Sequence, residues 1–401
     1  MSVSLRSLLV AGIAASSAFT LLGACAGILG YSDLEERHSV DAAETSKVDS
    51  TPRADTAIDD VPDVRPETIG DEAVHPPARP TGAAVASGKG KTVWFIAHRF
   101  FLGTNSFAGT PSRDAWKTLG FDIDHVCTGQ KESRENIGTC QRVAGAQQDV
   151  LIDGAGCRDN NFGSQLVPLI QLYDSVFEDE SNRAIADGAN SWILALDDVD
   201  DGPDDAYAPG RLYKAANWPY FGASPPNPPK FDGTDVRTVD SLSVIGGDVS
   251  KPRTTFPLGY IKDNVWVSGD GGPFLAALPI NTIKADLALI GAVMTVKLSD
   301  DHKTGGLAAL SGAVPGSRLE EILRPVAAGA GFCPGSALYN SLLKTVAQQL
   351  DLVEGAPNLQ NTGVVCDSLS VGMGFEVAPL QPVTTVVTPP ATRDPCGDAG
   401  P

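Results

Sequence analysis

Two runs, Asp286-Leu-Ala-Leu-Ile-Gly-Ala-Val-Met-Thr-Val-Lys-Leu298 and Leu307-Ala-Ala-Leu-Ser-Gly-Ala-Val314, flank the polar loop Ser299-Asp-Asp-His-Lys-Thr-Gly-Gly306. Each run is apolar and free of proline, and the break between them gathers turn-forming residues, so the stretch predicts a β-hairpin. A second, shorter hairpin is expected at Leu258-Gly-Tyr-Ile-Lys-Asp-Asn-Val-Trp-Val267, with Lys262-Asp263-Asn264 at its turn. Thr92-Val-Trp-Phe-Ile-Ala97, Ser191-Trp-Ile-Leu-Ala-Leu196, Val236 to Val244 and Val364 to Val377 add strand signals rich in β-branched and aromatic residues. Helical signals are few and short. Ser164 is placed to cap a helix carrying Leu166, Leu169, Ile170, Tyr173 and Phe177. Ser317-Arg-Leu-Glu320 reads as a capping box before a helix that Pro325 should end or kink, and Ser336 opens another with Leu338, Leu342, Leu343, Val346 and Leu350. The fold class expected is mainly β with short helices (α+β), an antiparallel β-sandwich-like domain with helical decorations.

Outward from that core, the first residues carry one side-chain cation, Arg6, then an apolar run from Leu8 ending in Leu22-Gly23-Ala24-Cys25. About 15 apolar residues make a signal-peptide core, too short to span about 30 Å of hydrocarbon. The ending resembles the lipobox of bacterial lipoproteins, which implies cleavage before Cys25, lipidation of its thiol, and, with Ala26 next, sorting to the outer membrane. Two or more acyl chains hold a protein stably where one does not. Tyr31 to Pro80 has one aromatic residue, six prolines and 13 acidic against five basic side chains. That composition buries too little apolar surface to offset ordering entropy and reads as a tether. The expected organisation is a signal peptide over 1–24, a lipidated cysteine and acidic, proline-rich tether over 25–90, a β-rich domain over 91–378 and a Pro/Thr-rich tail over 379–401.

With Cys25 lipidated, six cysteines remain, Cys127, Cys140, Cys157, Cys333, Cys366 and Cys396, an even set suited to three disulfides in an oxidising compartment. Six cysteines allow about 15 connectivities that sequence alone does not choose among; the one taken forward joins Cys127 to Cys140, a short loop, and Cys333 to Cys366, leaving Cys157 with Cys396 to pin the tail. The 30 Lys+Arg against 49 Asp+Glu give a charge of −19, which repels nucleic acid and anionic headgroups and attracts divalent cations.

No nucleophile and base stand at a recognisable spacing. Ser268-Gly-Asp-Gly-Gly-Pro273 lacks the serine of a chymotrypsin-like loop, and no Gly-x-Ser-x-Gly or His-Glu-x-x-His occurs. His98, His125 and His302 are lone histidines. The carboxylates carry more: Asp122-Ile-Asp124 and Asp153-Gly-Ala-Gly-Cys-Arg-Asp159 flank cysteines on glycine-bent loops, and oxygen ligands on such loops suit calcium. Asp122, Asp124, Asp153 and Asp159 are therefore the candidate metal ligands. Asp197 to Asp205 packs six aspartates into nine residues but departs from an EF-hand at Val199 and Ala208, and reads as a solvated acidic loop.

Gly120-Phe-Asp-Ile-Asp124, Cys127-Thr128, Asp153-Gly-Ala-Gly with Asp159-Asn160, and Cys366-Asp-Ser-Leu-Ser-Val-Gly-Met-Gly-Phe375 together resemble uncharacterised lipoproteins of myxobacteria and related deltaproteobacteria, over Trp116 to Cys396. Cys157 and Arg158 depart from the group's pattern by delaying the Asp-Asn pair. The resemblance implies no activity. The expectation is a lipid-anchored outer-membrane protein of the cell envelope with a non-enzymatic binding or structural role. Its partners would be the membrane, through the lipid, and envelope polysaccharide or another envelope protein; Trp192, Trp218, Tyr220 and Phe221 offer a sugar-stacking surface, against the commoner alternative of buried packing. The alternative is a glycosidase-like hydrolase pairing Asp122 or Asp124 with Asp153 or Asp159.

Overall fold

A computed structural model describes residues 73–129, 139–146, 148, 150–172, 174–218, 228–269, 272–280, 283–329, 331–389 and 396–397. The segments read as a signal peptide and tether, with Cys25, lie outside the described residues as far as residue 72, as do Tyr220 and Phe221.

Both hairpins form. Strands β1 (Lys91–Phe101), β2 (Trp192–Val199), β3 (Gly210–Lys214), β4 (Thr254–Phe256), β5 (Tyr260–Lys262), β6 (Val265–Val267), β7 (Gly272–Ile280), β8 (Ile283–Leu298), β9 (Gly305–Pro315) and β10 (Ser368–Pro379) join in one ten-stranded sheet. Its order is β4-β3-β2-β1-β10-β9-β8-β6-β5, with β7 also on β8, and every pair is antiparallel. The chain is thus mainly β with short helices, as its patterning requires, built on a continuous sheet covered on both faces.

Alternation along the strands sorts two cores. Phe95, Leu194, Leu196, Leu310, Met373 and Phe375 face the larger one, while Ile96, Ile193, Ala195 and Tyr213 face a smaller one with Leu380 and Val383. Strands covered on both faces read as continuous apolar runs, which is why β1 and β2 show little polar alternation. Trp192 is not a sugar-binding surface residue. It is 2 % exposed and meets Phe100, Phe274 and Phe375 edge-on at 4.8, 5.6 and 5.6 Å between ring centroids.

Four local expectations change. Val236 to Val244 does not run as one strand, because the Asp240 carboxylate accepts the Leu242 amide and turns the chain. The helix expected from Ser164 to Phe177 breaks into a wide π-type turn at Phe162–Leu166, α1 (Val167–Gln171) and, after a gap, α2 (Phe177–Ala186), in which Phe177 is the first residue. Ser317 lies inside a 3-10 turn, Gly316–Arg318, and so does not flank the first turn of α3 (Leu319–Gly329); Leu323, Ala327 and Ala328 pack into buried positions on both sides of Pro325 and carry α3 through it. Ser336 does cap α4 (Ala337–Ala347), its hydroxyl accepting the Tyr339 amide.

Residues 73–90 are part of the domain rather than of a tether. Val74 donates to Gly156 and accepts from Asp122, the Tyr260 hydroxyl donates to the Pro77 carbonyl, and the Arg79 guanidinium lies 4.4 Å from the Tyr260 ring centroid. The acidic loop gives this segment its far anchor: the Ser87 hydroxyl donates to Asp200 at 2.7 Å, and the Gly90 amide to Asp198 at 3.1 Å. Asp197 is further held bidentately by Arg211 at 2.6 Å, and Asp204 by Lys262 at 2.8 Å. Buried His302 ties the same loop to Asn264.

The cysteines pair as Cys127–Cys157, Cys140–Cys366 and Cys333–Cys396, correcting all three expected pairings. Proximity in sequence gives way to pairing of loops in space. Asp153 N donates to Thr128 O, Asp159 N to Phe121 O and Gly154 N to Arg158 O, which sets Cys157, at φ 59°, opposite Cys127. Cys140 instead lies beside Asn361–Val365, to which Cys140–Gln141 pairs in parallel. The Cys140–Cys366 link closes 226 residues, and such a closure stabilises by about 4–5 kcal/mol through the unfolded chain. Non-reducing peptide mapping of the oxidised chain should recover these three linked pairs; a Cys127–Cys140 peptide would contradict the fold.

Candidate functional site

Strand β10 extends past the end of β1, whose last partner is Gly374. The free edge beyond is covered by side chains instead of a strand. Asp351 Oδ1 accepts the Ser370 amide at 2.8 Å, its Oδ2 accepts the Ser370 hydroxyl at 2.6 Å, and Asn160 Oδ1 accepts the Gly372 amide at 2.9 Å. The Asn161 amide donates to Ser370 Oγ, and the Phe121 amide to Ser311 Oγ. Small residues permit this approach. A Cβ on Gly372 would sit 2.6 Å from the Leu119 carbonyl oxygen, and Gly120 needs φ +89° with Ser311 and Gly372 against it.

That docking brings the four predicted carboxylates together, and a fifth that sequence reasoning missed. Asp122, Asp124, Asp153 and Asp159 are all buried, at 3, 0, 9 and 2 % exposure. Asp122, Asp124 and Asp159 each place one oxygen within 4.8 Å of the others. Asp159 Oδ2 accepts the amides of Ile123 and Asp124, Asp124 Oδ1 accepts the Val126 amide at 2.7 Å, and Thr139 donates to Asp124 Oδ2. Asp153 and Asp159, with Asp351, Thr128, Thr139 and Arg142, line a small adjoining cleft with room for about one ion or water. Thr128 is 4 % exposed and lines that cleft, and its hydroxyl has no partner. The only sign of Asp351 in the sequence is a lone carboxylate between Leu350 and Leu352, and its partner Ser370 is a small polar residue in an apolar strand.

Burial pushes all five carboxyls above their ordinary range. For Asp159, Asp153 and Asp124 burial is the main cause, with the neighbouring carboxylates adding to it. Asp122 rises through burial, against the hydrogen bond from the His125 amide and the nearby imidazoles of His75 and His125. Asp351 is raised to about 6 by burial, against the Ser370 hydrogen bonds and the Arg142 guanidinium. Ionised carboxylates cost several kcal/mol each to bury unless paired, so this cluster demands protons or a cation. It is an acidic cluster with metal-ligating geometry. The Asp197–Asp205 loop and His302 are occupied by structural pairings, and His98 packs on the Phe231 ring.

No protein-family profile, no curated protein and no solved structure matches this chain.

The raised values set the sign of a pH dependence. A carboxyl that ionises near pH 4 when unfolded and higher when folded leaves the folded chain holding more protons, so stability is full below about pH 4 and lost as pH rises. For Asp351 the window ends at about 6. With divalent cations chelated, the melting temperature should fall across this window, and Asp351→Asn should flatten the fall. Equal slopes in the two proteins would show that Asp351 does not titrate as its burial requires.

Proposed function

We propose that the chain is an exported lipoprotein, anchored through Cys25 to the outer membrane, whose β-rich domain holds a calcium ion in its carboxylate cage and serves a non-enzymatic binding or structural role in the cell envelope. The observation that carries the cation is the convergence of Asp122, Asp124 and Asp159 beside a cleft into which the unpartnered Thr128 hydroxyl adds one more oxygen. Calcium takes oxygen ligands at about 2.3–2.6 Å, so one ion reaches oxygens as far apart as these. Its charge replaces the protons that burial otherwise imposes.

The same geometry speaks for an ion over a glycoside. Ligand pockets occupy roughly 300–1,000 Å³, whereas this cleft admits little more than a water. The anchor rests on Leu22-Gly23-Ala24-Cys25, and three disulfides suit an oxidising envelope compartment. The chain's charge of −19 disfavours a nucleic-acid partner.

Calcium added to the EDTA-treated, disulfide-intact chain should raise its melting temperature by several degrees, since saturation to about 100 times Kd stabilises by about 2.7 kcal/mol. Asp159→Asn should abolish the rise, and a transition indifferent to calcium removes the ion from the account. For the anchor, labelled palmitate should enter the native chain and not Cys25→Ala; label in neither would refute the lipoprotein assignment.

A further inference from the structure

Outside the oxygen cage, two of the five histidines meet on the surface. His75 belongs to the docked segment 73–90, His125 to the loop after Asp124, and their rings lie 4.8 Å apart, with an Asp122 oxygen within 4.8 Å of a nitrogen of each. We infer that His75, Asp122 and His125 form a second site, sharing Asp122 with the cage, for a borderline transition-metal ion of the zinc class, which clamps segment 73–90 onto the domain.

One nitrogen or oxygen from each of the three side chains lies within 4.8 Å of the other two. His75 Nδ1 lies 3.1 Å from the Asp122 carbonyl oxygen, which can only accept, so in the neutral imidazole Nδ1 carries the proton and Nε2 the lone pair. A backbone carbonyl on the far ring nitrogen is the arrangement that orients metal-bound histidines. Nε2 stands 3.8 Å from Asp122 Oδ2, too long for a hydrogen bond. It suits two ligands of one ion, since zinc sits about 2.0–2.2 Å from nitrogen and carboxylate oxygen. His125 is held at φ 61°, a conformation that non-glycine residues seldom adopt, while its amide donates to Asp122 Oδ1 at 2.6 Å. The turn thereby returns the His125 ring toward His75.

Chemistry separates this site from the calcium cage. Two imidazoles and one carboxylate select zinc, copper or nickel, whereas all-oxygen sets select calcium or magnesium. Asp122 belongs to both groups, but the imidazoles belong to this one alone. His75 is 39 % exposed at its side chain, which gives a hydrated ion access and leaves the fourth position to water.

The test uses the full, disulfide-bonded chain with Cys25→Ala throughout, so that no free thiol competes. Zinc chloride titrated calorimetrically in excess calcium should bind one ion per chain. His75→Ala and His125→Ala should each weaken binding about tenfold or more, while leaving the calcium-induced rise in melting temperature in place. Zinc should also slow trypsin cleavage after Lys89 in the parent and not in either variant. Absence of stoichiometric zinc binding, binding indifferent to both substitutions, or displacement of zinc by the calcium present overturns the site. Because the calcium response is read in the same proteins, loss of the cage and loss of this site are told apart.

Discussion

Beyond Gly374 the edge of β10 that faced β1 has lost its partner strand, and the amides on that edge must still be satisfied. A buried amide without a partner costs about 1–3 kcal/mol. Asp351 and Asn160 supply the acceptors at Ser370 and Gly372, and in doing so bring two distant pieces of chain onto the sheet. Asn160 comes with the loop that bears Asp153 and Asp159, whose backbone pairs with the loop bearing Asp122 and Asp124. The carboxylate cluster is a consequence of how that edge is completed.

Once these loops are seated, electrostatics takes over. Arg142 acts on Asp351, but its two terminal nitrogens are spent on the carbonyls of Gln348 and Leu350 just past α4. The imidazoles near Asp122 are partly exposed and face outward. The interior carboxylates therefore meet mostly one another, and each raises the others' proton affinity. Interiors of this kind carry excess negative charge that protons or a bound cation must neutralise. The disulfides brace the same region: Cys127–Cys157 links the two acidic loops, and Cys140–Cys366 borders the cleft beside Asp351.

The segment 73–90 shows why composition misled at the domain boundary. Its prolines and charges look like a tether, and it forms no strand or helix. It is ordered by polar contacts to residues far along the chain, Tyr260, Ala206 and the Asp198–Asp200 turn, and no local pattern reports those. The acidic loop has a related lesson. Six aspartates look like solvated charge, but Arg211 holds Asp197, Lys262 holds Asp204, the Gly88 and Gly90 amides hold Asp198, and the Ser87 hydroxyl holds Asp200.

The sequence by itself determined the two hairpins, at Tyr260–Val267 and Ile283–Pro315, and the Ser336 cap, because period and turn chemistry are local. It also marked Asp122, Asp124, Asp153 and Asp159, because carboxylates on glycine-bent loops beside cysteines are visible in a line of text. Tertiary structure alone decided that these four converge, that Asp351 joins them, that His75 reaches His125, and which cysteine meets which. Those facts depend on strand order and on which loop fills the open edge of β10, and both are settled by packing and hydrogen-bond satisfaction between residues far apart in sequence.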